Sequence, residues 1–399
     1  MTPARRQRLC VVTGSRAEYG LLYWVLHDLR EAGDIDLLLV VTGAHLAPEF
    51  GLTVRQIEAD GFAIARRVEM LVSGDTAGAV SKSTALGLIG MSDALEQLQP
   101  DAVVVLGDRF EILAAAVACL MHRVPLVHLA GGDITEGAID ESMRHAITKM
   151  AHLHLVTNEA AAARLRQMGE DPTRVLVVGS PGLDHLRRRP LLERAALERE
   201  LGAPLGPRNL LVTFHPVTLA ADEGLGQFEA LLAALAGLDA DTTVWFTRPN
   251  ADMGGRAFSH RLDEFAAERR AQGAAVHVHS SLGQLRYLSL MAQADAVVGN
   301  SSSGLYEAPS LRVPTVDIGE RQHGRLAAAS VLHCAPERDA IARAIRRAFT
   351  LDCSAVVNPY GDGHSAARIV AALRCLPPPP ALLRKTFFAL DARAGEVPS

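Results

Sequence analysis

Asp295-Ala296-Val297-Val298-Gly299-Asn300-Ser301-Ser302-Ser303-Gly304-Leu305-Tyr306-Glu307-Ala308-Pro309 decides how the chain is read. Residues 295–299 form a short apolar run of the kind that buried parallel strands use. Asn300 and the three serines are helix N-cap residue types. Gly304 lets the backbone come close to a ligand. A strand end, a small-residue turn and a helix N-terminus together make a phosphate site. Glu307 falls one helical turn after Ser303, where a carboxylate can grip the two hydroxyls of a ribose. The competing reading is a capped helix that binds nothing.

The same strand–turn–helix unit recurs outward from this stretch. Leu9-Cys10-Val11-Val12 runs into Thr13-Gly14-Ser15-Arg16-Ala17-Glu18-Tyr19-Gly20 and a helix from about Leu21 to Glu31. In open α/β sheets ligands bind at the carboxyl ends of strands, so Arg16, able to fork onto a phosphate, and Glu18 are expected in a site. His45 follows the second strand (Asp36–Gly43), within reach of a ligand, although a lone loop histidine is more often structural. Asp108 and Arg109 stand just past the strand Asp101–Leu106, and Glu111 follows on the helix Phe110–His122. After the strand Val124–Leu129 comes Gly131-Gly132-Asp133-Ile134-Thr135-Glu136-Gly137-Ala138-Ile139-Asp140-Glu141. Carboxylates this dense, with Asp108 brought close by topology, would perturb one another, as acid/base pairs do. Their irregular spacing speaks against a divalent metal. His152 and His154 share a strand face with no acidic partner at ligand spacing and read as core-edge histidines.

The charged, proline-punctuated segment from Leu183 to Gly206 reads as a boundary, near 182–207. It separates an N-terminal Rossmann-like domain (1–182) from a C-terminal one (183–376), with 377–399 a loosely held tail. The second half restarts with the strand Asn209–Phe214, ending in His215, a phosphate or acid/base group. Asn250 follows the strand Thr242–Thr247, and Arg321 stands past the strand Val313–Gly319. The fold expected is α/β: two doubly wound Rossmann-like domains facing each other across a cleft.

Composition agrees. The chain has 399 residues, 49% hydrophobic and 5% aromatic, an Ala/Leu/Val-rich balance suited to two α/β domains. A net charge of −5 gives no electrostatic case for nucleic acid or an anionic membrane. Five scattered cysteines, without a C-x-x-C pair, fit a reducing cytoplasm and no zinc site. The apolar run after Arg8 is too short for a signal peptide, and no stretch approaches the ~18 apolar residues of a membrane span. There is no P-loop, no G-x-G-x-x-G after the first strand and no G-x-S-x-G elbow, which removes P-loop hydrolysis, a bound dinucleotide and the usual serine hydrolase.

Gly14–Gly20, Gly107-Asp108-Arg109, Gly131-Gly132-Asp133, Arg144–Lys149 and Asn300–Gly304 together resemble the hydrolysing UDP-N-acetylglucosamine 2-epimerases of bacterial sialic-acid and legionaminic-acid synthesis. The resemblance covers residues 9–375. It implies the two-domain fold of B-type glycosyltransferases, a homodimer, a UDP-sugar substrate, and no nicotinamide or metal cofactor. It implies elimination of UDP to 2-acetamidoglucal, then rehydration to N-acetylmannosamine. The same chemistry on UDP-2,4-diacetamido-2,4,6-trideoxyglucose (N,N'-diacetylbacillosamine) is the alternative; a B-type glycosyltransferase and a non-catalytic nucleotide-sugar sensor are more distant ones.

Residue by residue, the resemblance implies that Arg16 contacts phosphate, that Asp108 and either Asp140 or Glu141 are acid/base carboxylates, and that His215 lies near the diphosphate. Ser301 and Ser302 match phosphate-binding serines, Glu307 the ribose-binding glutamate and Arg321 a uridine-side contact. Glu18, His45, Arg109, Arg144, Asn250 and Gly304 complete the expected substrate-binding set. Ala130 departs from the pattern: many relatives have an acid/base glutamate there and others histidine. Alanine transfers no proton, and Asp133 stands as the residue that takes over the role.

Overall fold

Parallel strands cannot be joined by hairpins, so each apolar run here needs a crossover helix before the next. The computed structural model describes residues 5–390 apart from 75, 136–138, 218–221, 223, 249–254 and 281. Its first sheet holds β1 (Gln7–Thr13), β2 (Ile35–Thr42), β3 (Ile64–Val68), β4 (Ala102–Leu106), β5 (Leu126–Leu129), β6 (Leu153–Val156) and β7 (Val175–Val177). The second holds β8 (Arg208–Thr213), β9 (Thr242–Thr247), β10 (Val276–His279), β11 (Ala296–Gly299), β12 (Thr315–Ile318) and β13 (Val331–Cys334). The strand orders are 3-2-1-4-5-6-7 and 10-9-8-11-12-13, and every pairing is parallel.

Alternation along β1 shows why helices cover both faces of its sheet. Leu9 and Val11 pack with Leu22 and Leu26 of the helix Arg16–Glu31. Cys10 and Val12 point the other way, onto Met91, Ala115 and Cys119 of the helices Ala77–Leu98 and Phe110–His122. The second sheet repeats the arrangement: Leu210, Val212 and Phe246 face one core, Leu211, Trp245 and Val297 another. Each order reverses direction at its first strand, β1 or β8. That switch point, where crossover helices diverge to opposite faces, is where doubly wound sheets place ligands. Among the described residues no helix is long and apolar enough to cross a membrane.

The chain divides into two compact units: one takes residues up to Asp133, Asp140–Pro181 and His364 onward, the other Ile134–Ile139 and Gly182–Gly363. The chain passes from the first unit to the second at 181–182, and the final helix returns to the first. Ser365–Arg374 buries Ala366, Ile369, Val370 and Leu373 beside Leu22 and Leu26, in the first unit's core. The tail also differs from the loose segment expected of 377–399, as far as Leu390 is described. Lys385 Nζ donates to the carbonyls of Thr148, Lys149 and Ala151 at 3.3, 2.9 and 2.7 Å, capping the helix Asp140–Met150. Phe388 N–H donates to Gly169 O at 2.8 Å, and Arg174 donates to the carbonyls of Leu382 and Arg384.

Candidate active site

In the first unit the turn after β1 is built on glycine. A Cβ at Gly14 would stand 2.3 Å from Glu111 Cγ, so only glycine lets this carboxylate close on the turn. Gly14 N–H donates to Glu18 Oε2 at 2.7 Å, and Ser15 caps the helix by accepting from Glu18 N–H at 3.3 Å. Arg109 Nε donates to Glu111 Oε1 at 2.9 Å. Glu18 and Glu111 are both buried. Burial, then the negative charge of Glu111, push the Glu18 carboxyl up to about 8 against the pull of Gly14 N–H and Arg109. Arg16, the first residue of the helix, is exposed. His45 is enclosed, its ring nitrogens 3.1 Å from Thr13 Oγ1 and 2.8 Å from Thr53 Oγ1, and burial lowers it to about 4. It is a neutral bridge between the end of β1 and the following turn.

Arg144 organises the neighbouring strand ends. It is 2% exposed; its Nε donates to Asp108 Oδ2 at 2.8 Å, its Nη2 to the same oxygen, and its Nη1 to Asp133 O at 2.6 Å. Asp108 keeps 23% of its side chain exposed. Asp133 is 7% exposed, and its Oδ1 accepts from Thr157 Oγ1 at 3.0 Å and Asn158 Nδ2 at 3.4 Å. His128 supports the same corner from beneath. Burial lowers it to about 4, so it is neutral. Gly107 O, which can only accept, therefore takes Nε2–H at 2.8 Å, and Nδ1 accepts from Thr148 Oγ1 at 3.2 Å. Ala130 sits at φ +60°, a left-handed conformation that costs a residue with a Cβ about 1–2 kcal/mol.

Asp140 and Glu141 open the helix Asp140–Met150, where Glu141 Oε1 lies 3.6 Å from His145 Nε2. Glu136 and Asn250 lie outside the described residues. Arg144 thus joins the Asp108 carboxylate to the backbone carbonyl of Asp133, while the Asp133 carboxylate faces Thr157 and Asn158; Glu18 meets Glu111 beside Gly14. Glu111 was not singled out by sequence as a site residue; its signal was its place on the first turn after Asp108-Arg109. His154 does have an acidic partner, Glu170, at 2.8 Å, sixteen residues away and beyond any local spacing. Lys149 and Lys385 bind the same buried carboxylate at 2.5 and 2.6 Å.

In the second unit Asn300 is the hinge-pin of the quoted stretch. Fully buried, it accepts His215 N–H on Oδ1 at 2.7 Å and donates Nδ2–H to His215 O at 2.8 Å, joining the ends of β8 and β11. Its own carbonyl accepts from Arg321 Nη1 at 3.1 Å and Gln322 Nε2 at 2.7 Å, which brings in the segment after β12. A Cβ at Gly299 would lie 1.9 Å from Thr213 O, so this strand end admits glycine alone. A Cβ at Gly304 would lie 2.5 Å from the Thr315 methyl, and the Thr315 hydroxyl donates to Gly304 O at 2.8 Å. Ser301 Oγ and Ser303 Oγ are 3.1 Å apart, and Tyr287 Oη lies 2.6 Å from Ser303 Oγ.

The helix expected after the serines is one turn, Ser303–Tyr306, with Ser302 as its cap and a 3₁₀ turn Ala308–Leu311 behind it. Pro309 stops it. Its macrodipole is correspondingly small, and the polar character of the turn rests on hydroxyls and N–H groups. Loss of water around Glu307 pushes its carboxyl up to about 8. Thus His215, Ser301, Ser302, Gly304, Glu307 and Arg321 surround one turn, with Gln322 and Tyr287 as members that the sequence reading passed over.

A family model described as UDP-N-acetylglucosamine 2-epimerase matches residues 27–374. The GDP/UDP-N,N'-diacetylbacillosamine 2-epimerase (hydrolyzing) of Campylobacter jejuni is 39% identical over 327 residues, 82% of this chain and 84% of that one. The UDP-N,N'-diacetylbacillosamine 2-epimerase (hydrolyzing) of Legionella pneumophila is 33% identical, covering 93% of this chain and 96% of its own. Polysialic acid biosynthesis protein P7 of Escherichia coli is 37% identical across 92% and 94% of the two chains. The crystal structure of UDP-GlcNAc 2-epimerase from Neisseria meningitidis bound to UDP-GlcNAc superposes with a TM-score of 0.78 at 17% identity, over 92% of this chain and 100% of that one, which shows the shared fold.

Proposed function

The chain belongs to the UDP-N-acetylglucosamine 2-epimerase family, and on that premise we propose that it is a hydrolysing 2-epimerase acting on UDP-N,N'-diacetylbacillosamine. The observation that carries the sugar is the 39% identity to the Campylobacter enzyme of that name. It moves the sugar that the sequence reading held as alternative ahead of UDP-N-acetylglucosamine.

The reaction has two steps. A carboxylate takes the C2 proton while the C1–O bond breaks and its electron pair leaves with UDP, giving a C1=C2 glycal. Water then adds, hydroxyl to C1 and a proton to C2 from the opposite face. The sum is substrate plus water giving UDP and the free 2-epimer. In this reading Asp108, oriented by Arg144 and open to solvent, is one acid/base group. Ala130 has no proton to give, and Asp133 is enclosed by Thr157 and Asn158. The second proton transfer therefore falls to Asp140 or Glu141, in the first turn of the next helix. In the second unit the turn around Ser301, Ser302, His215 and Arg321 takes the diphosphate. Glu307, short of water, gains hydrogen-bond partners from ribose hydroxyls.

Proton NMR in deuterated water, with each UDP-sugar in turn, tests this. The expected result is UDP plus the 2,4-diacetamido-6-deoxy sugar of manno configuration, deuterated at C2, with kcat/KM at least tenfold above that for UDP-N-acetylglucosamine. The reverse preference overturns the substrate assignment. No free sugar until an acceptor is added overturns the epimerase.

A further inference from the structure

One side chain in the second unit links the turn at Asn300 to the stretch that leads from Asp133 to Asp140. Arg325 Nη1 donates to Gln322 Oε1 at 2.7 Å, and Gln322 Nε2 donates to Asn300 O at 2.7 Å. On its other edge Arg325 Nε donates to Ile134 O at 2.7 Å and Nη2 to Thr135 Oγ1 at 2.7 Å. Gln322 and Thr135 are buried. The guanidinium lies over the Tyr306 ring, 5.7 Å from its centroid, and Tyr306 stacks on Tyr360 at 3.8 Å. Gly324, at φ +81°, would put a Cβ 2.7 Å from Ile134 Cγ2, so the approach of this segment to Ile134 requires glycine. Ile134–Ile139 belongs with the second unit although its flanks, Asp133 and Asp140, belong with the first.

We propose that Arg325 is a positioning residue for the reaction: through Gln322 on one side and Ile134 and Thr135 on the other, it makes the placement of Ile134 and Thr135, on the stretch that leads to Asp140, depend on the state of the phosphate turn. The physical basis is the planar fork of the guanidinium, whose donors are fixed relative to one another. Movement of Asn300 O when a diphosphate binds is carried by three hydrogen bonds, through Gln322 and Arg325, to Ile134 O, six residues before Asp140. Arg325 touches no reacting atom in this scheme, so it serves turnover more than binding. The inference rests on the epimerase reading for its catalytic consequence.

Arg325→Met, which keeps the packing on Tyr306 and loses the fork, is expected to lower kcat by 30-fold or more while the Kd for UDP stays within threefold. Thr135→Val removes one acceptor and is expected to lower kcat three- to tenfold in the same pattern. Amide exchange in the peptide containing Ile134 and Thr135 is measured with UDP as the probe. Wild type is expected to show at least threefold slower exchange on adding UDP, and Arg325→Met no change. This second readout needs no turnover: inactivity of the wild type on both UDP-sugars would sink the epimerase reading and leave the coupling to be judged by exchange. Persistence of the UDP-dependent protection in Arg325→Met, or loss of UDP affinity in step with kcat, overturns the proposal. Should Arg325→Met fail to fold, Thr135→Val alone decides by the same two criteria.

Discussion

Replacing Asn300 by Asp exchanges one NH₂ for an oxygen at a fully buried site and so isolates one hydrogen bond. Oδ1 still accepts His215 N–H, but an ionised second oxygen faces His215 O, which can only accept. An unsatisfied buried acceptor costs about 1–3 kcal/mol, and the opposed oxygens add to that. Protonation restores the donor, because the acid O–H can bond to His215 O. The folded-state pKa is therefore raised above the ordinary Asp value; Arg321, on Asn300 O, opposes the rise. A cost of about 3 kcal/mol corresponds to about two pKa units, moving the group from about 4 to about 6. Between those values the folded state holds a proton that the unfolded state has released, so stability falls as pH rises through this window and is level above it.

The assay is urea unfolding between pH 4.5 and 8 in a Trp24→Phe background. Trp245 is then the sole tryptophan of a chain that has two, and it is fully buried in the second unit. A single-unit reporter is needed because two units need not unfold together. Asn300→Asp is expected to lie within about 1 kcal/mol of its parent at pH 4.5 and about 3 kcal/mol below it at pH 8. A loss equal at all pH values, or no loss at pH 8, would refute the pairing of Asn300 with His215 as the tie between β8 and β11.

Three other outcomes follow from the first unit. Asp108→Asn keeps an acceptor for Arg144 and loses the proton-transfer group, so kcat should fall about 100-fold or more with the Kd for UDP within threefold, by steady-state kinetics and calorimetry. Glu18 is raised to about 8 in the folded protein and stands at 4.5 otherwise, so wild type loses stability as pH climbs between these values; the stability of Glu18→Gln relative to wild type should climb over pH 5–8, at up to about 1.4 kcal/mol per unit, and a flat difference in denaturant midpoints would count against the shift. Ala130→Gly relieves a left-handed backbone and should raise stability by about 1 kcal/mol, read as an increased urea midpoint by Trp24 fluorescence in a Trp245→Phe background; a decrease would mean that the Ala130 methyl is held by packing.

The strands were legible because both faces of each sheet are covered. Val103-Val104-Val105 and Val297-Val298 have no polar alternation to obscure them, and Gly107 and Gly299 mark their ends. β13 was not, since only Leu332 of its four residues is buried at that sheet edge. In the second unit the candidates Ser301, Ser302, Gly304 and Glu307 were legible together because they lie on one contiguous turn; Gln322 and Tyr287 reach that turn from other segments. Carboxylate density in residues 133–141 drew attention to that segment of the sequence. It could not say that Arg144 would join Asp108 to Asp133, nor that Glu111 would meet Glu18 at Gly14, because those pairings are made by strand order. The same reason hid Glu170 from His154, and it hid the docking of the final helix, whose amphipathic pattern names a buried face without naming its host.

That docking has a consequence for how the protein is made. The helix Ser365–Arg374 supplies Ile369 and Leu373 to the core around β1, yet it leaves the ribosome after every residue of the second unit. During translation the nascent first unit carries an uncovered apolar groove over Leu22 and Leu26 while some 180 further residues are being added. At ~5–20 residues per second that exposure lasts on the order of ten seconds or more. The second unit, contiguous but for residues 134–139, has all of its strands before the first is complete. Birth order and completion order are reversed in this chain, and a stop codon anywhere before residue 365 would leave the earlier-made half without its last core helix.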